Sequence, residues 1–188
     1  MLRAVVDAFR PRAKTRNGSV TSTSAKIPTQ EHTRPDTGIR PAALVDESPG
    51  RFGATATLEI DPHRIRRVVT TYSPSTDGRA DPGEIVWTWV PYEERDGRGK
   101  DRPVLVVASE PGDSVLAVQL TSQEHPGRPD YVPIGAGSWD AQRRPSYVVL
   151  DRVFRVHQSG MRREAAALDA RRFETVRMAL GSRYGWGS

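Results

Sequence analysis

The chain has 188 residues, with 28 Lys and Arg, 23 Asp and Glu, and no cysteine, which excludes disulfides and thiolate metal sites. Its four histidines (His32, His63, His125, His157) lack a metal-ligand spacing such as i,i+4, so no metal or other cofactor is expected. No apolar run reaches the length of a membrane span, and Met1–Phe9 is too short in its apolar part and interrupted by Asp7, so a cytoplasmic protein is expected.

The positive charge is unevenly placed. Residues 1–80 hold 13 basic and 8 acidic side chains, whereas residues 81–188 hold 15 of each. The excess is densest at Arg10, Arg12, Lys14 and Arg16, which suits either an arm touching nucleic acid or a solvated tail. From Lys14 to Pro62 neither a period of 2 nor one of 3.6 persists, and Ser, Thr, Pro and Gly dominate. Such composition buries too little apolar area to offset the entropy of ordering. Residues 1–62 are therefore predicted as a disordered extension, with Ala54–Ile60 a weak strand at most. Residues 63–80 follow as a linker in which Arg67–Tyr72 is a candidate edge strand, ended by the turn Ser73–Gly78.

Asp81-Pro82-Gly83 opens a folded domain predicted over 81–185. Glu84–Val90 alternates as a half-buried strand, with Trp87 and Trp89 assigned to core packing. A polar loop, Pro91–Asp101, leads to the apolar run Val104–Ala108, a buried strand with Pro103 at its first residue and Arg102 at its mouth. A cation fixed on a stiff strand beside a mobile basic loop suits an anion such as phosphate. The turn Glu110–Asp113 then joins this strand to Ser114–Thr121, a hairpin that would set Arg102 beside Thr121. After a loop over 122–130 come Tyr131–Ile134 and Ser146–Val156, the latter one bent strand or two. Asp169 caps a helix carrying Phe173, Val176, Leu180 and Tyr184 on one face, ended by Gly181 or Gly185. The fold class expected is mainly β: five or six short antiparallel strands in a small, partly open barrel with one C-terminal helix.

Gly83-Glu84-Ile85-Val86-Trp87, Gly99 to Val107 around Arg102-Pro103, and Leu120-Thr121-Ser122 together resemble the PemK/MazF family of type II toxin–antitoxin toxins. Ser146–Val156 resembles that family's later strand pair, and Leu168–Leu180 its C-terminal helix. The resemblance implies an SH3-like barrel, a homodimer, and an endoribonuclease that cuts single-stranded RNA without a metal or cofactor. It also implies a cognate antitoxin whose tail covers the active groove. Carried onto this chain, the family's catalytic pair falls on Arg102 and Thr121. Metal-free cleavage by the ribose 2′-OH would leave a 2′,3′-cyclic phosphate and a 5′-OH. Arg102 would act as a charge clamp and Thr121 as a hydrogen-bond donor to the reacting groups. Arg95, Arg98 and Lys100 are candidate phosphate contacts, and Ser122, His125 and Trp139 further candidates for binding RNA.

The loop Glu93–Lys100 departs from the Ser-Glu-Gln segment of many relatives, so the target sequence does not transfer. Two other function classes stay open: a non-catalytic nucleic-acid-binding or regulatory module on the same fold, and a protein–protein scaffold.

Overall fold

The computed structural model describes residues 48–187, and the part of the predicted extension before residue 48 lies outside them. β-Branched and alternating segments form strands in chain order: β1 (Leu58–Ile60), β2 (Glu84–Pro91), β3 (Gly99–Ser109), β4 (Ser114–Thr121), β5 (Tyr131–Gly135), β6 (Ser146–His157) and β7 (Arg162–Ala167). All pair antiparallel in one sheet of order β1-β6-β4-β3-β2-β7, with β5 added to β6. Helix α1 (Ala170–Tyr184) follows. Asp169 caps it by accepting from the Arg172 N–H at 3.0 Å, and Gly185 ends it in the left-handed region at φ 72.

The sheet is buried on both faces, which is why β3 and β4 read as unbroken apolar runs. Leu105, Val107, Leu116, Val118 and Val153 join Phe173, Val176 and Leu180 of α1 in one core. Val104, Val106, Val115, Ala117 and Phe154 form a second core on the opposite face. The expected mostly antiparallel sheet with one C-terminal helix is what the chain adopts.

Four details differ from the sequence-based expectation. Strand β3 begins at Gly99, so the preceding loop is only 92–98, and Arg102 is the fourth residue of the strand, opposite Thr88. Pro103 lies inside β3, but the ladder to β4 starts only at Val104, so proline sits where β3 is paired on one side. Strand β7 was not anticipated; its sequence, Arg-Arg-Glu-Ala-Ala-Ala, carries no β-branched residue and pairs because β2 offers an edge. Arg67–Tyr72 forms no strand. Arg67 sits at φ 55, which breaks the extended run, while Val68 turns into the first core.

A fifth difference concerns the extension. From residue 48 onward it packs against the domain instead of lying free. β1 pairs with β6, Leu58 opposite Arg155 and Ile60 opposite Val153. The Pro49 carbonyl accepts from the Trp89 N–H at 2.9 Å, and the Gly50 carbonyl from the Thr57 N–H at 2.7 Å. The buried hydroxyls of Thr57 and Thr88 meet at 2.6 Å, and Thr88 donates to the Gly160 carbonyl at 2.7 Å. Gly50 is required here: its φ is 80, and a Cβ would collide with the Thr88 hydroxyl and come within 2.5 Å of that of Thr57. Few of these contacts are apolar, so hydropathy gave no warning of them.

Candidate active site

The turn at Pro111-Gly112 and the pairing of β3 with β4 position the two predicted catalytic residues. The ladder runs outward to Val104 opposite Gln119. Two residues farther along each strand stand Arg102 and Thr121. By strand alternation Arg102 shares the face of Val104 and Val106, and Thr121 shares the face of Ala117; all three apolar residues belong to the second core. Arg102 and Thr121 both line a groove of about 640 Å³ between the ends of β3 and β4 and the segment 138–146.

Arg102 is half-buried, and its guanidinium has no hydrogen bond or ion pair with another described residue. A cation held on a strand with all its donors uncommitted is poised for an anion from outside. Thr121 is constrained differently. Its Oγ1 accepts from the Gln123 N–H at 3.1 Å, a local turn that fixes the hydroxyl while leaving its proton free to donate.

The remaining predicted residues separate. Lys100 and Ser122 line the groove beside Arg102 and Thr121, and Trp139 contributes to its wall. Trp139 is only 4% exposed and donates through Nε1 to Ser146 Oγ at 3.1 Å, so its ring is packed into the core. Gly137 lies so close to that ring that a Cβ would overlap it. Arg95, Arg98 and His125 are absent from the groove lining. Arg95 lines a smaller cleft of about 400 Å³ with Glu59, Glu93, Asp151 and Arg152, and stands 3.9 Å from Glu59. Arg98 is paired with Asp96 at 2.6 Å, and its backbone and side-chain hydrogen bonds hold the Asp96 carboxyl below the usual aspartate range. His125 stacks on Tyr131 with ring centroids 4.0 Å apart.

Several groove residues escaped the sequence reading. Trp87, assigned to the core, is half-buried and lines the groove together with Asp101, Glu164, Asp140 and Arg144. Arg144 donates through Nε to Asp140 Oδ2 at 2.8 Å, and this bond draws the Asp140 carboxyl below its ordinary value. The i,i+4 spacing of Asp140 and Arg144 was the only signal available, and it occurs in an irregular segment where helical spacing carries no weight. Arg162, in β7, lies 5.6 Å over the Trp87 ring and donates to Asp101 Oδ2 at 3.1 Å and to Glu164 Oε1 at 3.0 Å. Among the described residues there is no group of three or more side chains able to hold a metal ion, and no helix long and apolar enough to cross a membrane.

The MazF of Deinococcus radiodurans is similar at 26% identity, covering 57% of this chain and 97% of that one, with a TM-score of 0.44. The MazE–MazF complex of the same organism is similar at 22% identity, over 56% of this chain and 95% of that one, TM-score 0.43. An endoribonuclease from a mycobacterial species is similar at 18% identity, over 57% and 93%, TM-score 0.42. Among curated proteins there is no match. The model of the PemK-like, MazF-like toxins of type II toxin–antitoxin systems matches residues 81–182, more than half of the chain. That span includes Arg102, Thr121 and the groove between them, and the chain belongs to this family of endoribonuclease toxins.

Proposed function

We propose that the protein is a metal-independent endoribonuclease that cleaves single-stranded RNA in the groove, as the toxin of a type II toxin–antitoxin pair. One observation carries the proposal: an uncommitted guanidinium, Arg102, and an oriented hydroxyl, Thr121, line the same groove from neighbouring strands. The ribose 2′-oxygen attacks the adjacent phosphorus and loses its proton. The bond from phosphorus to the 5′-oxygen breaks, and that oxygen gains a proton. A 2′,3′-cyclic phosphate and a 5′-OH result, with no other reactant consumed. The transition state gathers negative charge on the phosphoryl oxygens, which the planar fork of Arg102 neutralises. The Thr121 hydroxyl donates one further hydrogen bond to a phosphoryl oxygen. Lys100 and Ser122 hold neighbouring phosphates. Family membership supports an antitoxin as partner, a homodimer as the assembled toxin and cytoplasmic RNA as its target.

The test is incubation of the purified protein with a long RNA in excess chelator, followed by mapping of the ends. Cyclic phosphate termini that disappear in Arg102→Ala and Thr121→Ala support the proposal. Intact RNA that nevertheless binds the protein would favour a non-catalytic binding module.

A further inference from the structure

The second wall of the groove carries a cation that the chemistry of Arg102 and Thr121 leaves unused. Arg144 lines the groove from the segment 138–146, across from the ends of β3 and β4. It stands three residues before Tyr147, which pairs with Thr121 in the β4–β6 ladder, so the segment runs in past the end of β4. Residues 138–145 form neither helix nor strand, yet they are held at several points. Trp139 Nε1 donates to Ser146 Oγ at 3.1 Å, and Ser146 Oγ donates in turn to the Arg144 carbonyl at 3.4 Å. The Asp140 carbonyl accepts from the Arg143 N–H at 2.8 Å, and Asp140 Oδ1 accepts from the Gln142 N–H at 2.8 Å.

Asp140 is the anchor. Its side chain is 11% exposed, and its Oδ2 takes the Arg144 Nε at 2.8 Å, whereas the Arg144 side chain keeps 55% of its surface. The contact uses Nε alone, so the two Nη groups, the end-on fork of the guanidinium, stay outside the pair. A guanidinium already held at Nε loses less rotamer freedom on gripping a phosphate than a free one does. The surrounding charge agrees. The other carboxylates of the groove, Asp101 and Glu164, both accept from Arg162, at 3.1 and 3.0 Å, so every acid there is matched by an arginine and none is left to repel a polyanion. We propose that Arg144 is a second phosphate clamp, gripping a backbone phosphate that neighbours the scissile one, and that Asp140 is its positioning residue. The proposal rests on the nuclease reading of the same groove and adds a register to it. The strand is held from both walls, by Arg102 at the phosphate that is cut and by Arg144 at a neighbour.

The test measures binding and cleavage separately. Binding is followed over a series of salt concentrations with a single-stranded RNA oligonucleotide of mixed sequence, 2′-O-methylated at every ribose and so lacking the attacking hydroxyl. Each phosphate contact on a single strand contributes about 0.7 to the steepness of log affinity against log salt. Arg144→Ala is expected to reduce that steepness by about 0.7, and Arg144→Lys, which keeps the charge, to retain it. In cleavage of a long RNA, the loss in Arg144→Ala should fall on KM, by about tenfold, rather than on kcat. Asp140→Asn should raise KM by itself and add nothing on top of Arg144→Ala, because it acts only through that arginine. Unchanged steepness and KM in Arg144→Ala would overturn the clamp, while cleavage by the wild type leaves the nuclease reading standing. Loss of a preference for guanine at one position, with the steepness unchanged, would make Arg144 a base contact and overturn the clamp as well. A reduced steepness in Arg144→Ala together with a wild type that cuts no RNA would support the phosphate contact and overturn the nuclease reading alone.

Discussion

Glu59 grips Arg152 through two parallel hydrogen bonds, from Nε to Oε1 at 3.1 Å and from Nη2 to Oε2 at 2.8 Å, across 93 positions of sequence. Glu59 precedes the family domain, and Arg152 stands in β6, its longest strand. Arg152 is 9% exposed and also donates to the Pro91 carbonyl at 2.8 Å. Removing the carboxylate would strand a buried guanidinium, which is costlier than never having built the pair. Glu59→Ala is expected to lower unfolding stability by about 2–4 kcal/mol, read as a shifted urea midpoint at constant slope. A midpoint equal to that of wild type would show that water replaces the carboxylate without loss.

Removal of residues 1–62 follows the same logic on a larger scale. It takes away β1, the Glu59 pair and the Thr57 hydroxyl that meets Thr88. The composition of this stretch predicts a dispensable tail, whereas its contacts predict a fall in Tm of roughly 5–10 °C. Differential scanning calorimetry of the shortened chain would decide between the two.

Arg102 should separate chemistry from stability. Because its side chain has no partner among the described residues, Arg102→Ala leaves Tm within about 1 °C of wild type, as expected for a site away from packed or paired groups. The same change is expected to slow RNA cleavage by about 10²–10³-fold, the usual effect of removing a donor to developing charge. Arg102→Lys keeps the charge but loses the fork, and should recover only a minor part of the rate. Equal loss of folding and activity in Arg102→Ala would make the arginine a structural residue.

The Asp140–Arg144 pair gives a pH-dependent expectation. Hydrogen bonding to Arg144 depresses the Asp140 carboxyl in the folded state. Its contribution to stability is therefore complete above the ordinary aspartate value, and is lost as pH falls through the lower, folded value. Arg144→Ala should raise the Asp140 titration midpoint toward the ordinary range, measured by carboxyl carbon NMR. An unmoved midpoint would assign the depression to the Gln142 backbone N–H, which donates to Oδ1 at 2.8 Å.

How much of this was legible in the sequence depends on whether local chemistry or distant pairing decided it. The Pro111-Gly112 turn makes β3 and β4 a hairpin, so the neighbourhood of Arg102 and Thr121 could be read before any coordinates, whereas the shift of register between Val106 and Ala108 that sets their final alignment could not. The apolar stripe and caps of α1 were equally local. Strand β7 was hidden because its alanines acquire extended form only from the edge of β2, and tertiary context outweighs propensity there. Residues 48–60 were hidden for a related reason: hydroxyls, a glycine and the ion pairs of Glu59 hold them, and none of these shows as a hydrophobic period. Trp87 was misassigned because alternation reports which face a side chain takes and is silent on whether that face opens into a groove.

The separation between Arg102 and Thr121 is set by a ladder whose last pair is Val104 with Gln119. The stretch 92–98 hangs from one end of that ladder and takes no part in spacing the two groups, whereas 122–130 contributes the Gln123 backbone N–H that holds the Thr121 hydroxyl. On the proposed nuclease reading, the side chains of either loop can be rewritten, changing which RNA is bound, while the spacing of Arg102 and Thr121 is inherited intact. New targets would then arise by mutation without passing through an inactive ancestor.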